Sequence, residues 1–177
     1  TYVAPFLMHA QIEPMNATAR ADAARAELWL PTQAQSRMRA DVAQALGIDP
    51  AAVTIHPTLV GGGFGRRLET DYGVTAALIA RKLGRPVKVI WSREQDSLQA
   101  RLRPAAATRF IGAFDREGRL TYLGSQTACV DREPRVRGLR DIPYGVPFRV
   151  VRYSAGEPFG RCGQWRSVDL SQNTFFL

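Results

Sequence analysis

The 177-residue sequence contains few of the residues that build metal centres. Its two cysteines, Cys129 and Cys162, stand far apart and form no Cys-x-x-Cys pair, and its two histidines, His9 and His56, are close to neither of them. This pattern excludes a zinc site or an iron–sulfur cluster within the segment, because both need closely spaced thiolate or imidazole ligands. We therefore predict no metal ligated by these side chains and interpret the cysteines as ordinary, partly buried thiols.

The sequence also lacks long apolar runs, and none approaches the ~18 residues that a membrane-spanning helix requires. Its start, TYVAPFLMHAQIEPMN, has no basic region of the kind that opens a signal peptide. It begins and ends in apolar stretches, TYVA and NTFFL, whereas natural termini are usually polar. We therefore expect a piece cut from a longer polypeptide. Any export signal would then precede Thr1, so the sequence assigns no compartment.

Lysine is scarce, since Lys82 and Lys88 are the only two, yet 24 Lys+Arg against 16 Asp+Glu give a net charge of +8. Arginine thus supplies most of the positive charge, which suits a phosphate-bearing cofactor, an acidic partner subunit or nucleic acid. The charge is spread along the chain without a block of consecutive basic residues, and no nucleic-acid-binding motif is recognisable. A non-catalytic basic α+β module that binds nucleotide or nucleic acid is therefore kept as the alternative interpretation.

The first half of the sequence alternates predicted strands and helices. Residues 1–19 are predicted to be irregular or extended, because Pro5 and Pro14 exclude a continuous helix. A strand is predicted over 26–30, followed by a helix capped by Thr32, with Gln35 in the reciprocal position of a capping box. The buried stripe of this helix is predicted to be Met38, Val42, Ala45 and Leu46. Gly47 is predicted to end the helix.

A second strand–helix–strand passage follows. The strand over 53–60 carries Pro57, which marks a sheet edge or a bulge, and the strand over 86–91 is strongly apolar. The helix between them covers about 69–83, and Ser92 has the position of an N-cap for a further short helix. The buried stripe of the long helix is predicted to be Tyr72, Ala76, Ile79 and Leu83.

The second half of the sequence favours antiparallel pairing. Residues 108–114 and 120–128 alternate as strands around the turn Asp115-Arg-Glu-Gly118, which predicts a hairpin. A last strand is predicted over 148–153. Together the elements predict an α+β fold, with mixed sheets and helices packed on them, and a candidate subdomain break near 92–105.

Residues 60–67, Val-Gly-Gly-Gly-Phe-Gly-Arg-Arg, connect a predicted strand to a predicted helix, the context in which glycine-rich loops bind phosphates. No Gly-Lys-Ser/Thr closes the stretch, which excludes a Walker A loop, and Arg66 stands where a dinucleotide fingerprint needs its third glycine. Either the backbone approaches a ligand closely or the stretch is a permissive turn. Phe64 favours a bulky ligand, because a large ring is costly in a bare turn.

Five motifs in a fixed order resemble a known family, the molybdenum-binding subunit of xanthine oxidase-type enzymes. Within it they are most similar to the isoquinoline 1-oxidoreductase beta-subunit branch, which includes many proteins described as aldehyde dehydrogenases. The resemblance runs over essentially the whole segment. The motifs are His9-x-x-Ile-Glu-Pro-Met-Asn16, Trp29-Leu-Pro-Thr-Gln33, Gly61-Gly-Gly-Phe-Gly65, Arg66-Arg-Leu-Glu69, and Trp165-Arg-Ser-Val168 leading into Ser171-Gln-Asn173.

The resemblance implies that residues 1–177 are part of a molybdopterin-binding domain. It implies molybdenum held by a pterin dithiolene, usually the cytosine dinucleotide form in bacteria, and hydroxylation of an aldehyde or an N-heteroaromatic ring with oxygen from water. Electrons would leave through [2Fe–2S] clusters on a small iron–sulfur partner subunit, and a cytochrome subunit is a further candidate acceptor. A separately folding assembly domain of the same complex remains an open alternative.

The resemblance also assigns roles to individual residues. Gln33 matches the family glutamine that hydrogen-bonds an oxygen ligand of molybdenum. The glycine loop, defined here as residues 61–65, matches the backbone that faces the metal–pterin ligands. Arg166 matches the arginine of the substrate pocket, where it would offset charge on a substrate oxygen. The expected catalytic residues are Gln33 and Arg166, and the expected cofactor-binding residues are Gln33, Gly61, Gly62, Gly63, Phe64, Gly65 and Arg66.

Two departures from the family pattern bear on the substrate. Leu68 stands where many relatives place a carboxylate, and Val168 stands where they place the aromatic ring that sandwiches purines. Purines are therefore disfavoured, and aldehydes or N-heteroaromatics are favoured. The catalytic glutamate of the family lies downstream of this segment, and Glu13 and Glu69 are expected to have structural roles. We therefore expect the segment alone to bind no stable cofactor and to be inactive.

Overall fold

A computed structural model of the chain describes residues 1–131, 134–157 and 160–177. The chain divides into two compact units, His9–Ala100 and the combination of Thr1–Met8 with Arg101–Leu177. Each unit has its own four-stranded mixed sheet, and the predicted α+β class is confirmed. The strands are β1 (Tyr2–Ala4), β2 (Asn16–Ala21), β3 (Ala26–Leu30), β4 (Val53–Pro57), β5 (Val87–Ile90), β6 (Ala106–Phe114), β7 (Leu120–Cys129) and β8 (Phe148–Ala155), and the helices are α1 (Gln35–Leu46), α2 (Asp71–Leu83), α3 (Arg93–Gln99) and α4 (Leu170–Phe176).

The sheet of the His9–Ala100 unit has the strand order β4-β3-β2-β5. Strands β3 and β4 are parallel and joined through α1, whereas β2 runs antiparallel to both of its neighbours. The edge strand β4 ends at Pro57 and not at Val60 as predicted, while the position of Pro57 in an edge strand agrees with its missing N–H. The connection from β4 through the glycine loop to α2 crosses the sheet to reach β5 at the opposite edge.

Small side chains allow α1 and α2 to lie close to this sheet and to each other. Gly73 of α2 is an example, because a Cβ there would come within 2.4 Å of Met38 Sδ on α1. Such tight packing makes the core sensitive to added volume. The buried core of the unit is Met15, Ala17, Ala19, Ala21, Ala26, Leu28, Leu30, Met38, Val42, Ala43, Leu46, Val53, Tyr72, Ala76, Ala77 and Ala80.

Residues 1–19 contain no helix, as predicted, and their extended part includes the start of β2 at Asn16, a strand that the sequence analysis did not assign and that buries alternate alanines, a weak apolar signal. Two other local predictions for this unit were wrong. Thr32 is not a helix cap: α1 starts only at Gln35, and Thr32 Oγ1 instead accepts a hydrogen bond from the N–H of Ala34 (3.1 Å). The predicted stripe of α2 was correct only at Tyr72 and Ala76, since Ile79 and Leu83 are exposed and the alanines and the glycine of the helix are buried.

The other unit contains the strand order β1-β6-β7-β8. The predicted hairpin is confirmed: β6 and β7 are antiparallel, and Gly118 takes the left-handed φ of +78° that the turn requires. Strand β8 pairs in parallel with β7 and extends two residues beyond its predicted end. Among the described residues, no helix is both long enough and apolar enough to cross a bilayer.

Candidate functional site

The glycine loop leaves β4 and leads, through a short 3-10 turn at Arg66–Leu68, into α2. Three of its residues have left-handed backbone conformations, with φ of +97° at Gly62, +54° at Phe64 and +104° at Gly65. Two of these angles suit only glycine, and the one at Phe64 is uncommon for a side chain of that size. The loop is therefore a specific backbone shape and not an arbitrary flexible connection.

Gln33 lies against this loop, two residues before α1. Its side-chain Oε1 accepts a hydrogen bond from the N–H of Gly65 (3.1 Å). A backbone N–H can only donate, so this bond fixes which end of the amide is the oxygen and turns the amino group away from the loop backbone. A Cβ on Gly63 would come within 2.3 Å of the same Oε1, so glycine at this position is what lets the Gln33 side chain lie here.

Glu13 braces the other end of the loop. Its Oε2 accepts from the N–H of Gly61 (2.8 Å), its own N–H donates to the carbonyl of Gly61 (3.1 Å), and its Oε1 accepts from Asn16 Nδ2 (2.9 Å). A Cβ on Gly61 would lie 2.6 Å from Glu13 Cβ. With both carboxylate oxygens bonded within the protein, Glu13 has the structural role that the sequence predicted for it.

Arg66 and Arg67 are fully buried, which their charge did not suggest. The Arg66 guanidinium forms a bidentate pair with Asp71 (2.9 and 3.0 Å), has Nε 3.4 Å from Asp96 Oδ1, and lies over the Trp91 ring. Burial raises the pKa of Asp96 above its ordinary value, and the charges of Arg66 and Arg93 oppose that shift. In this arrangement the charge of Arg66 is balanced by carboxylates.

Sequence reasoning missed these carboxylate partners. Asp71 opens α2 and Asp96 lies on α3, and neither belongs to a motif that had pointed to a site. Consecutive arginines after a glycine loop were open to either a phosphate-binding or a surface role. The position of Asp71 could have predicted this ion pair. An acidic residue five positions after Arg66, at the start of a helix, can face that arginine.

The remaining sides of the loop carry groups that can meet a ligand. Phe64 is 38% exposed. Among the described residues, no hydrogen bond engages the N–H of Gly62 or of Gly63. The loop therefore offers an aromatic ring and two backbone donors in addition to the Gln33 amide.

The Thr1–Met8 and Arg101–Leu177 unit contains the second predicted segment. The Trp165 indole donates to the carbonyl of Met8 (3.1 Å), and the guanidinium of Arg166 lies 5.4 Å from the centre of the Trp165 ring. Ser167 and Val168 follow with φ of +61° and +57°, and such values are rare for a β-branched residue. Strained backbone of this kind clusters at functional sites, and here it directly follows the exposed Arg166.

His56 and Glu69 have partners within the fold. His56 Nε2 hydrogen-bonds Glu27 Oε1 (2.9 Å), and its ring stacks on Trp29. His9 is buried, and the Glu69 carboxylate lies 3.7 Å from Arg37 Nη2. These contacts are typical of residues that stabilise a fold.

The thiol of Cys129 is expected to be nearly inert in the folded protein. Burial, reinforced by the negative charge of Asp131, raises its pKa to about 11, so roughly one thiol in a thousand would be ionised at pH 8. We expect iodoacetamide at pH 8 to label Cys129 at least about 100-fold more slowly in the native protein than in urea, as measured by peptide mass spectrometry. Equal rates in the two states would contradict this expectation.

Comparisons with known proteins place this geometry in a family. The sequence profile of the molybdopterin cofactor-binding domain matches residues 1–130. Over 122 residues the chain is 46% identical to isoquinoline 1-oxidoreductase subunit beta of Brevundimonas diminuta. This alignment covers 68% of the chain and 16% of that protein. Over 156 residues it is 32% identical to the aldehyde oxidoreductase molybdenum-binding subunit of Escherichia coli K12, covering 87% of this chain and 20% of that protein.

Solved structures agree on the fold. Aldehyde oxidoreductase from Desulfovibrio gigas superposes with a TM-score of 0.80 at 20% identity, covering 98% of this chain and 20% of that one. Quinoline 2-oxidoreductase from Pseudomonas putida 86 superposes with a TM-score of 0.77 at 24% identity, covering 96% of this chain and 24% of that one. The chain thus spans less than a quarter of each relative, and no match supports the alternative of a nucleotide- or nucleic-acid-binding module. The chain belongs to the family of molybdopterin cofactor-binding domains.

Proposed function

We propose that this chain is a segment of the large subunit of a molybdenum hydroxylase, in which it helps to bind the molybdopterin cofactor and to shape the substrate pocket. The proposed reaction is hydroxylation of an aldehyde or an N-heteroaromatic ring carbon. Family membership supports the cofactor, and the names of the relatives, which include isoquinoline and aldehyde oxidoreductases, support the substrate class.

The observation that carries this proposal is the hydrogen bond from the Gly65 N–H to Gln33 Oε1. Because the oxygen end of the amide is held by the loop, the Nε2 amino group is the end that can donate to a ligand. An uncharged donor held in place by backbone can stabilise charge on a ligand oxygen without reorganising during the reaction. Gln33 is therefore proposed as a catalytic residue.

The residues of the loop fit a large group bound close to backbone. A Cβ at Gly61 or Gly63 would already collide with Glu13 or Gln33, so the loop has no room for side chains on that side. Gly62 and Gly63 carry unengaged backbone donors, and the exposed ring of Phe64 offers a surface to pack on a pterin. When bound, the molybdenum–pterin group would supply the redox chemistry, while Gln33 and residues 61–65 would bind and orient it.

Arg66 and Arg166 are proposed to contribute differently. The Arg66 guanidinium is paired with Asp71, so we propose that it contributes to the cofactor site by fixing the backbone beside Gly65. Arg166 is exposed and stacked on Trp165, which supports a role in orienting a polar substrate atom.

The proposal extends to groups outside this chain. Several relatives are named as subunits, and we propose a complex with a small [2Fe–2S] subunit, with a cytochrome subunit as a further candidate electron acceptor. We propose the cytosine dinucleotide form of the pterin. Nucleic acid is not among the proposed partners.

The test uses the full-length subunit purified with its partner. We expect molybdenum near one atom per subunit and aldehyde- or isoquinoline-dependent reduction of an artificial electron acceptor. Replacing Gln33→Ala should lower kcat about 100-fold, the effect of losing one preorganised donor, whereas the matched control Gln35→Ala, at the exposed start of α1, should leave kcat unchanged. A wild-type complex without molybdenum, or equal kcat values for the two variants, would refute the proposal.

A further inference from the structure

We propose that Arg67 is a positioning residue that fixes Gln33 and the glycine loop relative to each other, and that it does so through protein carbonyls and not by binding a cofactor phosphate. This inference rests on the proposed function, because it concerns the placement of the Gln33 amide.

The guanidinium of Arg67 joins three segments that are remote in sequence. Its Nε donates to the carbonyl of Gly62 (2.7 Å) in the loop, and its Nη1 donates to the carbonyl of Pro31 (3.3 Å), two residues before Gln33. Its Nη2 donates both to the carbonyl of Glu13 (3.0 Å) and to Glu13 Oε2 (2.7 Å). One side chain thus holds the glycine loop, the segment that carries Gln33 and the Glu13 brace.

The backbone of Arg67 completes the connection. Its carbonyl accepts a hydrogen bond from the N–H of Gln33 (3.1 Å), and the Thr32 hydroxyl lies 3.4 Å from the same oxygen. Gln33 is therefore held at its backbone by Arg67 and at its side chain by Gly65. A shift of Arg67 would move both attachments of the proposed catalytic amide.

The chemistry of this contact set requires arginine. The side chain is fully buried, and its planar fork reaches acceptors in three directions at once. A lysine would keep the charge but has a single nitrogen, which cannot reach all of these acceptors from one position. Glu13 supplies the balancing charge, and a buried cation without such a partner would be strongly unfavourable.

The same geometry argues against a phosphate ligand. All three guanidinium nitrogens donate within the protein, and the side chain has no exposed surface. A phosphate could reach Arg67 only if the loop opened and these bonds broke. The contacts fit a residue that acts through Gln33 and the loop.

The decisive variant is Arg67→Lys in the full-length subunit with its partner, with Arg25→Lys, an exposed arginine of the same unit, as the control. We expect the hydrogen-bonded backbone amides of Gly61 and Gly65 in the loop to exchange hydrogen at least about tenfold faster than in the wild type, because local opening becomes easier. We expect kcat to fall about 100-fold through misplacement of Gln33, KM to change less than about threefold, and the molybdenum content to be retained. The control should match the wild type in every measurement.

Two results would overturn the proposal. One is wild-type hydrogen exchange in the loop together with wild-type kcat. The other is loss of cofactor with unchanged loop exchange, which would make Arg67 a cofactor ligand. If Arg67→Lys does not accumulate as folded protein, Glu13→Gln replaces it, since it removes the balancing charge of Arg67 and keeps the side-chain shape. The readout is then the Gly65 amide, because Glu13 contacts the Gly61 amide directly. Faster exchange at Gly65 supports the proposal, and unchanged exchange overturns it. A wild-type complex without molybdenum would refute the proposed function, while the exchange comparison would still decide the role of Arg67.

Discussion

Replacing Gly63→Ala is expected to lower kcat about 1,000-fold while changing the free energy of unfolding by less than about 1 kcal/mol. The added Cβ would lie 2.3 Å from Gln33 Oε1 and 2.8 Å from Gln33 Cδ, well inside contact distance. The backbone at Gly63 has no left-handed φ, so alanine fits the loop itself. The nearest atoms that the added methyl group meets therefore belong to the Gln33 side chain.

The substitution should affect kcat far more than the free energy of unfolding, because only the Gln33 side chain has to move. Gln33 is exposed and flexible, so its side chain can swing away at little cost to the fold. In doing so it breaks its bond to the Gly65 N–H and carries its amino group away from the proposed ligand position. Loss of one preorganised donor lowers kcat about 100- to 1,000-fold. The alanine methyl group also narrows the space beside the glycine loop, so we expect an effect of about 1,000-fold.

The measurement is steady-state kinetics on the full-length complex, together with urea denaturation and molybdenum analysis. Gly145→Ala is the matched control, because a Cβ at Gly145 meets no atom within 4 Å. A kcat for Gly63→Ala within threefold of the control would show that Gln33 has no catalytic role at this position. A large loss of stability would instead show that the loop itself is intolerant of the methyl group.

The main elements of the fold could be predicted because their signals are local. The parallel strands β3 and β4, the hairpin of β6 and β7, and the glycine that ends α1 all follow from patterns within a few residues. Strand β2 was missed because its buried positions are alanines, which carry little apolar contrast. The face of α2 was misjudged for the same reason: close helix–sheet contact selects small residues, while its larger Ile79 and Leu83 stay exposed.

The site was predictable only in part, because its residues come together through long-range contacts. The motifs pointed to Gln33 and the glycine loop, and the structure brings these two together through Gly65. The motifs did not specify that Arg67 would bond to carbonyls of three segments, or that Arg66 would face Asp71 and Asp96. An arginine in a sequence has the same charge whether a phosphate, a carboxylate or a carbonyl faces it, and only the fold decides which.

Replacing Arg66→Met is expected to destabilise the protein by about 3–5 kcal/mol, the usual effect of leaving one member of a buried ion pair without its partner. The side chain of Asp96 is only 4% exposed, and it would lose the cation 3.4 Å from its Oδ1 and keep only the partly exposed Arg93, 3.6 Å from its Oδ2. Asp71 would also lose its bidentate partner, but it is more exposed and can be solvated. Arg37→Met, at an exposed arginine 3.6 Å from Asp41, should cost less than about 1 kcal/mol and is the control.

The loss of unfolding free energy in Arg66→Met should depend on pH, and the titration of Asp96 sets the direction of that dependence. Burial raises the folded-state pKa of Asp96 above its ordinary value of 3.8, and removing Arg66 removes a charge that opposes this shift. For an acid with a raised folded-state pKa, the stabilising contribution is complete below the unfolded-state pKa and is lost as the pH rises through the folded-state pKa. Relative to the wild type, the variant should therefore be least stable near neutral pH and should recover as the pH falls towards 4.

A double variant tests this cause directly. Asp96→Asn removes the buried charge and still accepts the hydrogen bond from Gln11, so Arg66→Met combined with Asp96→Asn should be more stable than Arg66→Met alone by about 1–3 kcal/mol at neutral pH. Urea denaturation at several pH values measures both effects. Additive losses, or a deficit that does not change with pH, would show that Asp96 is not the group that Arg66 balances. In that case Asp71, the bidentate partner of Arg66, would be the group that balances its charge.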